Sequence, residues 1–260
     1  MKTFQSIKQF KKYADEIAKK FKFVISNYNN DYSIDIDGDV NLNSELLTEF
    51  PIKFNIVTGN FTCYRNKLTS LKYGPKSVGK NFNCSSIELN SLKECPEYVG
   101  GHFICSYNKL TSLKGCPQSI NGDFDCSNNE LVSLKGCPEI VARNFICDYN
   151  KLHDLKGAPK IIYRNFNCFR NELTSLDGAP EIIEGNFNIH YNYLTSFKGG
   201  PKVIGGHVYC YFNEFKSLFG FPDVKGWVDI ENKYKQYPEF IKYSKQRKLI
   251  QHLINKIEKL

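Results

Sequence analysis

Hydrophobic positions recur along most of this chain with a period of 21 residues. Phe61, Phe82, Phe103, Phe124, Phe145, Phe166, Phe187 and Val208 head successive units. With each of these as position 0, asparagine stands at +5 as Asn66, Asn108, Asn129, Asn150, Asn171, Asn192 and Asn213, with Ile87 in the second unit. Leucine or Phe215 fills +7, and leucine or Phe197 fills +10. Every unit has proline at +14, from Pro75 to Pro222, and the first seven have valine or isoleucine at +17, from Val78 to Ile204. Eight full units follow one another without an insertion, flanked by degraded units around Val40 and Leu42 and around Val228 and Ile230.

The local pattern predicts one short strand per unit, because Val/Ile, a glycine or basic residue, Phe and Cys alternate at period two. The return after the asparagine carries Leu-Thr-Ser-Leu and then glycine and proline, too few residues and too many helix breakers for a capped helix. One unit cannot bury its Phe, Cys and Leu side chains, but stacked units bury them in a continuous core. The asparagines are expected to form a buried ladder whose amides satisfy turning backbone groups. Strands ~4.8 Å apart make about ten coils roughly 45–50 Å long.

Phe-x-Cys-x-x-Asn-x-Leu-Thr-Ser-Leu resembles the leucine-rich-repeat core Leu-x-Leu-x-x-Asn-x-Leu. With the following proline it is similar to the short bacterial class found in secreted effector proteins. The fuller wording Phe-x-Cys-Ser-x-Asn-x-Leu-Thr-Ser-Leu-Lys-Gly-Cys-Pro resembles repeats of phage and other viral proteins. The period departs from the about 20 residues of the short class, and Val/Ile stands four residues before Phe rather than three. The resemblance covers roughly residues 38–232. It implies a mainly β repeat solenoid, a right-handed coil of about ten short parallel strands, whose outward-facing columns line a concave sheet. It also implies a phage or viral accessory protein acting in the cytoplasm of a host cell. Effector relatives that are ubiquitin ligases carry a separate catalytic domain after the repeats. Only 28 residues follow Asn232 here, none of them cysteine, so that activity is not carried over.

The flanks read differently from the repeat. Residues 2–23 place Phe4, Ile7, Phe10, Ala14, Ile17 and Phe21 on one helical face with lysines on the other. Residues 239–260 do the same with Leu249, Ile250, Leu253, Ile254, Ile257 and Leu260, and Pro238 suits the first turn of that helix. The expected organisation is a capping helix over 1–25, a solenoid over 26–236 and a basic amphipathic helix over 237–260. Each helix either covers an open end of the solenoid or docks on a partner or anionic surface.

Composition adds a charge of +8, 14% aromatic residues and ten cysteines to 260 residues. This balance excludes wholesale disorder, and no run of 18 apolar residues predicts a membrane span. The first residues lack an apolar stretch of signal-peptide type, so the expected compartment is cytoplasmic. Residues 1–25 carry a net +5 and residues 237–260 a net +4, leaving −1 for the repeat body. A nucleic-acid or other anionic partner is therefore to be sought at the ends first.

All ten cysteines fall in two columns, Cys63, Cys84, Cys105, Cys126, Cys147, Cys168 and Cys210 at +2 and Cys95, Cys116 and Cys137 before the proline. Ile189 and then Ala158 and Ala179 replace them elsewhere in the columns, which reads as small apolar core residues. No Cys-x-x-Cys pair suggests a metal, and no cofactor fingerprint or nucleophile–base pair is present. His102 and His207 share the column just before Phe, a polar face position. A ladder of alternating charge at +6 and a lysine column at +11 read as solvated edges, with a track for an acidic partner as the alternative for the lysines.

The outward columns carry the candidate site: Tyr64, Arg65, Tyr107, Asp148, Tyr149, Phe169, Arg170, His190, Tyr191, Tyr209, Tyr211 and Phe212. Aromatic and arginine residues concentrate from Tyr149 onward, the residue types that anchor interfaces. Their bland reading is cross-strand stacking that merely stabilises neighbours. The leading expectation is a non-enzymatic module that binds a protein through this face. A virion structural or assembly component and a binder of nucleic acid through the terminal helices are the alternatives.

Overall fold

Phe61 pairs in register with Phe82, and the same pairing repeats through Phe103, Phe124, Phe145, Phe166 and Phe187 to Val208 and Val228. Each strand is two residues long, from Val40–Asn41 to Val228–Asp229, and together they form a parallel sheet of ten. The chain is therefore a β-solenoid. The computed structural model describes residues 3–257, with side chains described up to 248. The last coil takes 20 residues rather than 21, since Val228 pairs with Val208.

One strand per unit is corrected to two. The Val/Ile at +17 and the Phe at 0 do not share a strand, because the chain bends between them. Ser77–Val78 and its equivalents form a second parallel ladder on another side of each coil. The bend has its own polar ladder at the residue before Phe. The side-chain acceptor of one coil takes the backbone N–H of the equivalent residue in the next, as Asn81 Oδ1 does from His102 N (2.8 Å), Asn144 Oδ1 from Asn165 N (3.1 Å) and Asn186 Oδ1 from His207 N (2.7 Å). His207 continues it by accepting Trp227 N on Nδ1 at 3.0 Å, which places the ring proton on Nε2. Asn, Asp and His interchange in this column because each offers an acceptor at the same reach.

The second ladder is interrupted. A seven-stranded sheet ends at Ile140–Val141, and a four-stranded sheet begins at Ile161–Ile162 and runs to Asp223–Val224. Glu181 N donates to Lys160 O and Glu184 N to Ile162 O beyond the break, and Ala142 N donates to Ile120 O before it. Among the described residues, the equivalent bonds from Lys160 N and Tyr163 N across the break are missing, as are those from Gln118 N and Asn121 N two coils earlier.

The core lies between the ladders. Phe61 to Phe187 are fully buried and stack with ring centroids 5.2 to 5.8 Å apart. Both cysteine columns are buried among them as free thiols. Each asparagine at +5 donates from Nδ2 to the +2 carbonyls of its own and the preceding coil at 2.7 to 3.2 Å, as Asn129 does to Cys126 and Cys105. Its Oδ1 accepts the +7 N–H of the preceding coil, Leu110 N in the case of Asn129. The serine of Leu-Thr-Ser-Leu closes a local turn by accepting the N–H two residues on, as Ser112 Oγ does from Lys114 N.

Helix α1 (Ile7–Phe21) starts at Ser6, whose Oγ accepts Gln9 N, and ends at Lys22 in a left-handed conformation. It buries Phe10, Ala14 and Phe21, packs Phe4 and Ile17 partly, and leaves Ile7 exposed. A hairpin absent from the sequence reading follows. Strands β1 (Val24–Tyr28) and β2 (Ser33–Asp37) pair antiparallel, and β2 pairs parallel with Lys53–Val57. Helix and hairpin together cover the first coil's edge. At the other end, helix α2 (Pro238–Ile257) begins at Pro238 as the sequence suggests. Tyr243 Oη donates to Gly226 O at 2.7 Å, Arg247 donates to Lys225 O, and Phe240 and Tyr243 sit against Phe221. The start of α2 is thus docked on the last coils. Leu249, Ile250, Leu253, Ile254, Ile257 and Leu260 lie outside the described side chains. No described helix is long and apolar enough to cross a membrane.

Candidate functional site

The columns expected to face outward divide by structure. Position +1 lies on the two-residue strand, where Asn83, Asp125, Asn167 and Asn188 accept the N–H of +3 and fold the chain into a turn. Position +3 sits inside that turn. Ser106 and Ser127 are buried there, and Tyr64, Asp148, Phe169, His190 and Tyr211 are half-buried. Full outward exposure of the +3 column is therefore corrected: the turn after the strand draws it in, with an Asx bond in four units and without one at Tyr64, Ser106, Asp148 and Tyr211. Position +4 is the exposed edge.

The backbone of that edge is unusual. Arg65, Ser86, Tyr107, Asn128, Tyr149, Arg170, Tyr191 and Phe212 all hold φ between +52° and +57°. Only Asn128 is of a type that enters this left-handed region readily, and bulky side chains there cost about 1 kcal/mol each. The chain does use glycine at its other left-handed position, +12, where Gly115 to Gly220 follow Tyr73 and Glu94. A Cβ at Gly157, for example, would meet Leu134 C at 2.7 Å. At +4 no unit has glycine, and large aromatic or guanidinium groups are kept in its place.

From Asp148 onward these side chains make one continuous strip. Tyr149 meets Phe169 edge-on (5.3 Å), Phe169 meets Tyr191 edge-on (5.4 Å), and Tyr191 stacks on Phe212 at 4.3 Å. The Arg170 guanidinium lies 5.5 Å from the Tyr149 ring centre. Tyr149, Tyr191 and Phe212 remain 41%, 45% and 55% exposed, so the stacking leaves roughly half of each ring open to a partner. Tyr211 touches Phe212 and His190, and Tyr209 touches His190 and Trp227. Among the described residues, the side chains of Tyr64 and Arg65 pair with each other, 6.0 Å apart, and with no other ring or guanidinium. Tyr107 stands exposed with the Asn128 coil between it and Tyr149. These three do not join the strip.

The last coil adds residues the sequence reading did not include: Trp227, Asp229 and Glu231. They follow from the columns once the closing unit is read at 20 residues instead of 21, which puts Asp229 at +1 and Glu231 at +3. Glu231 Oε1 accepts Phe212 N at 2.7 Å. Its Oε2, Asp148 Oδ1 and His190 Nε2 are the three buried side-chain polar atoms without a hydrogen-bond partner among the described residues, and all belong to the +3 column. His190 Nε2 does lie 3.5 Å from Asp229 Oδ2, close enough for charge attraction but outside hydrogen-bond geometry. Burial pushes the Asp148 carboxyl up to about 6, with Asp125 of the preceding coil adding to the rise. Burial pulls His190 below the usual imidazole value against the opposing carboxylates of Asp229 and Glu231.

The remaining chemistry-bearing residues are absorbed by the fold. Burial pushes the thiols up, Cys95 and Cys137 to about 12, so they stay protonated at neutral pH. No group of three or more His, Cys, Asp or Glu among the described residues is placed to hold a metal. A cleft of about 650 Å³ runs where α2 crosses the last coils, lined by Phe221, Asp223, Tyr243 and Arg247, and is a product of that docking. No family model matches the chain, and no curated protein matches it.

Proposed function

We propose that this protein is a non-enzymatic binding module whose strip Tyr149–Phe169–Arg170–Tyr191–Phe212 holds an extended segment of a protein partner. One observation carries the reading. Aromatic and arginine side chains are retained, exposed, at a left-handed backbone position where glycine or asparagine would cost less. Stacking alone would account for rings at +4 but not for roughly half of each ring lying open. The likeness of the repeats to those of phage and other viral proteins supports an accessory role in an infected cell.

The test is panning a random twelve-residue peptide display library on the wild-type protein and on a Tyr191→Gly/Phe212→Gly variant. Glycine relieves the backbone while removing the rings, so the melting temperature should move by less than about 4 °C. Peptides enriched on the wild type should be lost on the variant. Equal enrichment on both would remove the strip as the binding surface.

A further inference from the structure

The strip is not apolar along its length. It begins at Asp148 and ends at Asp229 and Glu231. Both ends hold a half-buried carboxylate with one oxygen that lacks a hydrogen-bond partner among the described residues, Asp148 beside Tyr149 in the chain and Glu231 on the coil that bonds to Phe212. The Arg170 guanidinium lies over the Tyr149 ring, and among the described residues Asp148 forms no ion pair. At the far end the imidazole of His190 has Tyr209 and Tyr211 against it and two carboxylates on its polar side. Carboxylates set among aromatic faces are the chemistry that takes up ammonium and guanidinium groups.

The two ends are four coils apart, from the Phe145 strand to the Val228 strand. At ~4.8 Å per coil this is about 19 Å, and an extended chain at ~3.3 Å per residue covers it in about six residues. Resting on the proposed binding role of the strip, we infer that its occupant is an extended peptide with two lysine or arginine side chains about six residues apart, one at Asp148 and one at Asp229 and Glu231. The residues between them lie on Phe169, Tyr191 and Phe212 and supply apolar contact.

Sequencing the library peptides retained by three proteins tests this: the wild type, Asp148→Asn/Glu231→Gln, and Tyr191→Gly/Phe212→Gly. The wild type should enrich Lys/Arg pairs five to seven positions apart, by roughly ten-fold over the input. The carboxylate variant should keep retaining peptides but lose that pairing. If the wild type retains peptides without basic bias, or the bias survives in the carboxylate variant, the cationic occupant is overturned while the strip still binds. If the wild type retains nothing, both readings fall.

Discussion

Asp148 shows what a single residue gives up to remain where it is. Its carboxyl titrates near 6 in the folded protein because it is half-buried beside Asp125. A carboxyl raised in this way favours folding below its unfolded value, near 4, and loses that contribution as pH rises through 6. Asp148→Asn should therefore stabilise the free protein at pH 7 by about 1 kcal/mol, a figure that allows for the solvent reaching the group. The gain should fade as pH drops from 6 to 4, where wild-type Asp148 is neutral as well. Thermal melts of both proteins across that range check it, and a gain that persists at pH 4 would mean the cost is not electrostatic. Residue types were enough to single out Tyr149, Arg170, Tyr191 and Phe212, which the fold brings together in one strip. They were silent on the left-handed backbone, because Tyr, Arg and Phe carry no signal for it and Asn128 is the only column member that does. The inward set of +3 was equally hidden, since it follows from the turn that ends each two-residue strand rather than from period two.

At the level of the coil, the asparagine rung explains both the repeat and its exception. From Cys105 to Ile189 each +2 carbonyl receives two amides, one from its own coil and one from the next, so losing one asparagine leaves it still bonded. What is orphaned is a single backbone donor, the N–H at +7 of the preceding coil. Asn129→Leu should accordingly cost about 2 kcal/mol in chemical denaturation, most of it the stranded Leu110 N–H. A loss below about 0.5 kcal/mol would show that water reaches that amide. Ile87 is the natural version of this change, and Leu68 N correspondingly lacks an asparagine partner. The ladder was legible from sequence because a recurring amide at a buried position has one economical use. The two strands per unit were not, because Val78 to Phe82 reads as one alternating run until the bend at the polar residues between them is seen. The β1–β2 hairpin was missed for a related reason: it lies outside the repeat, where no second copy exists to reveal its register.

Over the whole molecule, the sequence located the net charge at the two ends and a neutral body between them, and the fold adds how those ends are used. Helix α1 and its hairpin close one edge, and α2 begins against the other. The body is nearly uniform in its ten-stranded sheet but not in the second ladder, where the rungs at Lys160 and Tyr163 are absent. Those two amides should exchange with deuterium ahead of Glu181 and Glu184, their bonded counterparts in the next coil. Equal protection at all four would mean that the gap is closed in solution. On the opposite side of the same coil stand Asp148 and Tyr149, where the strip begins. A stack of coils is a one-dimensional assembly and parts first at its weakest joint. The serine-lined coils and the aromatic coils thus meet at a joint that rests on one ladder and the shared core instead of two ladders.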